Sequence, residues 1–191
     1  TIDTVSAGHI YLNGTDVTEI NEKQIARFRR ENLGFVFQDF YLLNSLSVKE
    51  NIMLPMVLDK APVDKCYKNV EAYAENFGLS HLLEKQPYEV SGGEKQRVAI
   101  CRALINNPDL ILADEPTGNL DSKSGKIVID ALKDINEHMG KTIIMVTHDP
   151  QMASYCSRLI LLKDGVILED LKNSGDQEAF YQEILGKMKE L

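Results

Sequence analysis

Several residue types and patterns are scarce or absent in this sequence, and each excludes a class of protein. Tryptophan is absent, and the three cysteines, Cys66, Cys101 and Cys156, form no C-x-x-C pair, which argues against zinc and dithiol redox sites. Their apolar neighbours predict buried free thiols in a reducing compartment. No apolar run reaches the roughly 18–20 residues needed to span a membrane.

Positive charge is also in deficit. Lysine and arginine number 21 against 29 acidic residues, so the formal charge is -8 and the pI is near 5.0. Nucleic-acid-binding domains carry basic patches, and the balance therefore argues against DNA or RNA as a partner. A local site for an anion such as a nucleotide is still compatible with an acidic whole.

Apolar strands alternate with helical patterns along most of the chain. The apolar runs predict buried strands at 33–37, 109–114 and 142–147, a short strand at 8–14, and a hairpin around Asp164-Gly165. Helical spacing predicts helices at 21–30, 62–77, 91–105 and 122–138. This alternation is typical of an α/β fold in which helices cover both faces of a mainly parallel sheet.

The pattern divides the chain into three parts. Residues 1–41 and 89–170 form the sheet-containing core, and 42–88 form an inserted helical subdomain with a short helical piece at 80–86. Residues 171–191 form a C-terminal amphipathic helix. Ser174 and Gln177 have the spacing of a capping box for it.

Acidic residues end one of the predicted strands. The stretch "LILADEPTGNLD", 110–121, delivers Asp114 and Glu115 to the C-terminal edge of the sheet, where ligands of open α/β folds bind. One carboxylate there can hold Mg²⁺, and the other can orient an attacking water. Alternatively, the two acids belong to an ordinary strand-to-loop junction.

A glycine-rich turn precedes one of the predicted helices. In "VSGGEKQRVAICRAL", 90–104, the helix start offers unpaired N–H groups to an anion, and Lys95, Arg97 and Arg102 follow. Ser91 can equally be a simple N-cap. Gln38 and His148 each follow a predicted strand, where they can contact a metal or a phosphate or play a structural part.

Together and in this order, these residues resemble the nucleotide-binding domain of ABC ATPases over most of the chain. The stretches "ADEPTGNLD" and "LGFVFQDFYLL" are especially similar to the lipoprotein-release, macrolide-efflux and peptide-antibiotic exporter group. The resemblance implies the ABC ATPase fold, which is P-loop NTPase-like. It also implies roles: Gln38 as the Q-loop glutamine, Ser91, Gly92, Gly93 and Glu94 as the signature motif, Asp114 as the Walker B aspartate, Glu115 as the catalytic base, Asn119, Leu120 and Asp121 as the D-loop, and His148 as the switch histidine.

The same resemblance implies ATP and Mg²⁺ as cofactors, with Gln38 and Asp114 on the metal and the signature residues and Asp121 at the nucleotide. In the family, two domains associate head to tail, and the signature loop of one completes the γ-phosphate site of the other. We therefore expect a homodimer. A separate membrane permease would contact apolar residues between Phe40 and Val57, which would place the chain peripherally on the cytoplasmic face of the cell membrane.

One family element is absent. No Gly-x-x-x-x-Gly-Lys-Ser/Thr loop occurs in the 191 residues, and Gly140-Lys141-Thr142 has Ile135 in the place of the first glycine. Either the chain is N-terminally truncated or the loop has been lost. We predict that the intact parent hydrolyses ATP, whereas residues 1–191 bind ATP weakly and turn over little. A non-transport ABC ATPase and an inert regulatory or scaffold protein are the alternatives.

Overall fold

A computed structural model of the chain describes Asp3 and residues 5–189. The strands, in chain order, are β1 (Tyr11–Leu12), β2 (Thr15–Asp16), β3 (Leu33–Phe37), β4 (Leu110–Asp114), β5 (Thr142–Val146), β6 (Arg158–Lys163) and β7 (Val166–Lys172). The α-helices are α1 (Glu22–Asn32), α2 (Val48–Leu58), α3 (Val63–Asn76), α4 (Gly92–Leu104), α5 (Ser122–Glu137), α6 (Pro150–Ala153) and α7 (Gln177–Met188). The strands predicted at 33–37 and 109–114 and all four predicted helices are confirmed to within two residues at each end.

The centre of the molecule is a parallel sheet of three strands in the order β3-β4-β5. Phe37 is paired in register with Asp114, and Asp114 with Val146. Because parallel strands end at the same edge, the residues that follow these three strands emerge side by side.

Helices α4 and α5 cover one face of this sheet. Their inward residues follow helical spacing and join the sheet in one core, whose members are 0–5% exposed: Val36, Ile100, Leu104, Ile111, Ala113, Val128, Ile129, Leu132 and Ile135. Burying one such side chain contributes about 1.5–3 kcal/mol. Gly34 lets α4 cross β3 closely, because a Cβ at this position would lie 2.7 Å from the carbonyl oxygen of Ala103.

The opposite face of the sheet is open at β5, so the strand predicted at 142–147 is confirmed as Thr142–Val146 but its predicted burial is wrong. Ile144 is 53% exposed and Val146 is 61% exposed. Within the described part of the chain, β5 pairs with β4 only, so its outer edge is unpaired. An apolar run in the sequence shows that a strand is hydrophobic, but it does not show whether another element packs on that strand.

The segment between β3 and α4 contains helices only, as predicted. Helices α2 and α3 enclose a second core of fully buried residues that includes Val48, Ile52, Val70 and Leu79 and also Val98 and Cys101 of α4. The predicted helical piece at 80–86 is shorter, a single 3-10 turn over Ser80–Leu82. The boundary of this segment as a subdomain stays a prediction.

Both ends of the chain differ from expectation. Residues 8–14 hold no single strand but the start of a hairpin, in which Asn13 and Gly14 have φ of 50° and 79° between β1 and β2. The predicted hairpin at Asp164-Gly165 is confirmed between β6 and β7. The C-terminal helix predicted within 171–191 is confirmed at Gln177–Met188, after β7 ends at Lys172. Its N-cap is Asp176 and not Ser174.

The cysteines are free thiols, and Cys66 and Cys101 are buried as predicted, whereas Cys156 is half-buried. Burial raises the pKa of the Cys101 and Cys156 thiols. Across the described residues, we find no helix that is both long enough and apolar enough to cross a lipid bilayer.

Candidate functional site

Four of the predicted site residues lie at the carboxyl edge of the sheet. Asp114 is the last residue of β4, and Glu115 follows it with a left-handed φ of 43°. Gln38 follows β3, and His148 follows β5 by two residues. The strand register therefore brings together side chains that are up to 110 positions apart in the sequence.

Glu115 and His148 form the tightest contact of this edge. The Glu115 Oε1 atom accepts from the His148 backbone N at 2.8 Å and lies 2.6 Å from His148 Nδ1. The hydroxyl of Thr147 donates to the other carboxylate oxygen at 3.0 Å. The Glu115 side chain is 17% exposed and that of His148 is 84% exposed, so the pair has a fixed carboxylate on one side and an imidazole open to solvent on the other.

Gln38 is held by the loop that follows β4. Its Nε2 donates to Asn119 Oδ1 at 3.2 Å, and Asn119 Nδ2 donates to the Gln38 carbonyl oxygen at 3.1 Å. The sequence placed Asn119 in the D-loop, but it gave no sign of this pairing across 81 positions.

Asp114 is the other candidate metal ligand. It is exposed, and among the described residues its carboxylate forms no hydrogen bond or ion pair. The Gln38 Oε1 atom likewise receives no hydrogen bond from the described residues. A free carboxylate and a free amide oxygen at adjacent strand ends are the oxygen ligands that Mg²⁺ prefers, so the residues present fit this ion.

The Ser91 loop starts α4 as an N-cap. Ser91 Oγ accepts from Glu94 N at 3.4 Å, and Glu94 Oε2 accepts from Ser91 N at 2.7 Å, which completes a capping box. These bonds lower the pKa of the Glu94 carboxyl, with the backbone N–H of Ser91 as the largest cause. In the described part of the chain, no hydrogen bond or ion pair joins Ser91–Glu94 to Glu115 or His148.

The two glycines of this loop lie against the D-loop segment. A Cβ at Gly92 would lie 3.3 Å from the Leu120 side chain, and one at Gly93 would lie 3.0 Å from Ser124. Asp121 caps α5 by accepting from the backbone N of Lys123 and Ser124 at 3.0 Å each. The Ser124 hydroxyl is the largest cause of its lowered pKa. The carboxylate of Asp121 is thus engaged in capping in this conformation.

Two side chains of α4 connect the helix to the site through hydrogen bonds that the sequence analysis did not predict. Gln96 is fully buried, and its Nε2 donates to Pro116 O at 2.7 Å and to Phe37 O at 3.2 Å. Arg102, grouped above with an anion site, instead donates to Phe40 O at 2.7 Å and Tyr41 O at 2.5 Å. Gln96 lies four residues before the core residue Ile100 and therefore on the same face of α4, and this spacing could have indicated that Gln96 is buried.

The chain is similar to known proteins in both sequence and fold. Residues 2–118 match the model of the ABC transporter family. The bacitracin export ATP-binding protein BceA of Halalkalibacterium halodurans is 44% identical over 96% of this chain and 73% of that protein. The macrolide export ATP-binding/permease protein MacB of Campylobacter jejuni is 46% identical over 99% of this chain and 29% of that protein. The dimeric post-hydrolysis structure of the ATP-binding cassette MJ0796 with ADP and Pi superposes with a TM-score of 0.80 at 36% identity, covering 92% of this chain and 77% of that one.

Proposed function

Since the chain belongs to the ABC transporter family, as an ATP-binding subunit that hydrolyses ATP to drive transport, we propose that its hydrolytic centre is the carboxyl edge of β3, β4 and β5. The contact of 2.6 Å between Glu115 and His148 carries this proposal. It places a carboxylate and an imidazole next to the free carboxylate of Asp114. The attacking water needs a group that accepts its proton, and the γ-phosphate needs a group that donates a hydrogen bond.

Phosphoryl transfer depends on positioning and on neutralising charge. Glu115 orients the attacking water and accepts its proton, because its carboxylate is already fixed in place by Thr147 and His148. The Nδ1 atom of His148 faces Glu115, so Nε2 is the nitrogen available to the phosphate. Because an ionised Glu115 carboxylate only accepts hydrogen bonds, Nδ1 must donate to it, so Nε2 also carries a proton for the phosphate when the ring is charged.

Mg²⁺ would be held by Asp114 and Gln38, through a carboxylate and an amide oxygen. Such an ion neutralises the charge that develops on the β- and γ-phosphate oxygens. The side chain of Gln38 presents its oxygen to the site because its nitrogen is bonded to Asn119.

The Ser91 loop serves a second chain. Ser91 is exposed at the N-terminus of α4, where backbone N–H groups and the helix dipole favour an anion. No hydrogen bond or ion pair of the described residues joins this loop to Glu115 or His148, which favours a nucleotide carried by a partner chain. A head-to-tail homodimer satisfies both features, with Gly92, Gly93, Glu94 and Asp121 at the interface, and the MJ0796 structure is a precedent for a dimer.

The outer edge of β5 could pair with a further strand that carries a phosphate-binding loop. The exposed Ile144 and Val146 and the unpaired edge of β5 offer room for an added strand next to Glu115 and His148. By itself the 191-residue chain lacks a lysine cradle for the β- and γ-phosphates. We therefore expect weak ATP binding and little turnover from residues 1–191, and calorimetry that gave the affinity of a complete cassette would contradict this.

A transmembrane subunit would dock on the apolar residues that follow β3. Tyr41, Leu43 and Val57 are 46–61% exposed, whereas Val48, Ile52 and Met56 are buried in the core of the helical segment. The exposed half of this stretch is thus available to a partner, which would hold the chain on the cytoplasmic face of the cell membrane. The relatives named above are exporter subunits, so a non-transport ATPase and an inert scaffold are not favoured.

Glu115→Gln tests the proposal. In the natural polypeptide that contains residues 1–191, the neutral amide can still accept hydrogen bonds but cannot take up a proton from water. We expect ATP hydrolysis to fall by at least about 100-fold, in the range of a lost general base, while ATP binding measured by calorimetry is retained. Hydrolysis at the wild-type rate would refute the role of Glu115. Exposed Glu137→Gln on α5 is the matched control.

A further inference from the structure

An amide side chain can ligate a metal through only one of its two ends. The oxygen is a ligand and the NH₂ group is not, and rotation of the terminal torsion exchanges them. If Gln38 holds Mg²⁺, as in the function proposed above, some neighbour must determine which end of its amide faces the ion. Ligand-orienting neighbours of this kind are common around protein metal sites.

The neighbours of Gln38 determine the orientation step by step. Asn119 Nδ2 lies 2.9 Å from Asp39 Oδ1 and 3.1 Å from the Gln38 carbonyl oxygen. Both of those atoms only accept hydrogen bonds, so the nitrogen of the Asn119 amide must point toward them. Asn119 Oδ1 is thereby turned to the Gln38 side chain.

The second step fixes Gln38 itself. Because an oxygen of Asn119 faces it, Gln38 must present its Nε2 there, at 3.2 Å. The Oε1 atom is left free on the other side of the amide. The nearby Gly118 makes room for this arrangement, since a Cβ on it would lie 2.8 Å from Gln38 Nε2 and 3.0 Å from Gln38 Cδ.

We infer that Asn119 is a positioning residue that selects the oxygen of Gln38 for the metal, and that Asp39 in turn orients Asn119. Asn119 and Asp39 are exposed, so their hydrogen bonds compete with water. We therefore expect an effect near the lower end of the 10–100-fold range for such neighbours, about tenfold in metal affinity.

The first test needs neither nucleotide nor activity. In ¹⁵N-labelled 191-residue chain, the side-chain NH₂ signals of Gln38 are identified as the pair that Gln38→Glu removes. Asn119→Ala should move this pair to the position of a free glutamine. Asn136→Ala, which removes an exposed amide bonded to Lys141 O at 2.7 Å, should leave it in place. Unchanged Gln38 signals in Asn119→Ala would overturn the inference.

The second test separates orientation from general damage to the loop. In the natural polypeptide that contains residues 1–191, Mn²⁺ binding with ADP is followed by the electron paramagnetic resonance of the free ion. We expect Asn119→Ala to weaken binding about tenfold when residue 38 is glutamine. In a Gln38→Glu background both ends of the side chain are oxygens, so Asn119→Ala should weaken binding less than twofold. Equal weakening in both backgrounds would assign Asn119 a merely structural part.

The two proposals fail in different ways. If Gln38→Ala leaves Mn²⁺ binding unchanged, Gln38 is not a metal ligand, and both the metal part of the proposed function and the inference are overturned. If Gln38→Ala weakens binding but Asn119→Ala does not, the proposed function stands and only the inference is overturned.

Discussion

Gln96 ties helix α4 to two strand ends, and replacing it by methionine should destabilise the fold by about 2 kcal/mol. The substitution keeps the length of the side chain but removes its amide. Pro116 O then loses its donor, and a buried carbonyl left unpaired costs about 1–3 kcal/mol. Phe37 O loses the Gln96 bond but keeps the backbone N–H of Phe40 as a donor at 3.3 Å. We assign about 2 kcal/mol to the fully buried contact with Pro116 and about 1 kcal/mol to the partly buried contact with Phe37.

Part of this cost is offset, because Gln96 Oε1 is itself buried without a partner among the described residues. Removing that oxygen regains about 1 kcal/mol, which leaves the net of about 2 kcal/mol. Urea unfolding of the 191-residue chain, followed by circular dichroism, measures the change. With an m-value of about 2 kcal/mol/M, the midpoint should fall by about 1 M.

Gln182→Met on α7 is the control for this measurement. Gln182 is exposed and donates to Glu178 at 3.0 Å, so its replacement should change the free energy of unfolding by less than about 0.5 kcal/mol. If Gln96→Met and the wild type unfolded at the same urea concentration, the two carbonyls would not depend on the amide, and the reasoning would be refuted.

Two further predictions concern stability. Gly34→Ala should lower the melting temperature, because its Cβ would lie 2.7 Å from Ala103 O. Gly186→Ala in α7 should raise the melting temperature through helix propensity, because its Cβ would meet no heavy atom within 4 Å. A lower melting temperature in both variants would contradict the steric explanation. The capping bond from Ser91 lowers the pKa of Glu94, so its contribution is present above the unfolded pKa of about 4.3 and is lost as pH falls through the folded value. Glu94→Gln should therefore lose less stability than the wild type between about pH 6 and pH 3, as urea midpoints at each pH would report.

Local patterns in the sequence predicted the elements whose environment matched their composition. Strands β3 and β4 are apolar runs with a covering helix and partners, and both were found within one residue. β5 has the same composition, yet it is exposed, because its burial depends on what lies beyond its unpaired edge. At α7 the sequence predicted Ser174 as the cap, but the helix begins at Gln177 and its N-cap is Asp176.

The candidate site also contains features that local patterns predicted and features that they did not. Residues that end strands, such as Asp114 and His148, were predictable because strand register collects them at one edge. The contacts of Asn119 and Gln96 were not predictable, because their partners lie 81 positions away and 59 and 20 positions away, and no local period encodes such contacts. The capping box at Ser91 involves residues only three positions apart, so that spacing could have identified Glu94 as the capping partner of Ser91.

The turn after β3 explains why those long-range contacts are needed. Phe40 and Tyr41 have left-handed φ values of 62° and 44°, which costs a non-glycine residue roughly 1–2 kcal/mol each. Their carbonyls are bonded by Arg102, which desolvation leaves with a lowered pKa.

The carbonyls just before them are bonded as well, that of Phe37 by Gln96 and that of Gln38 by Asn119. Four of the five carbonyls from Phe37 to Tyr41 thus accept hydrogen bonds from side chains outside the turn, and α4 supplies two of the three donor side chains. The same helix begins at Ser91. Moving α4 away from β3 would therefore break the bonds of both Gln96 and Arg102 to this turn and remove contacts that offset the backbone strain at Phe40 and Tyr41. Gln38 lies within this turn, so its position is tied to that of α4.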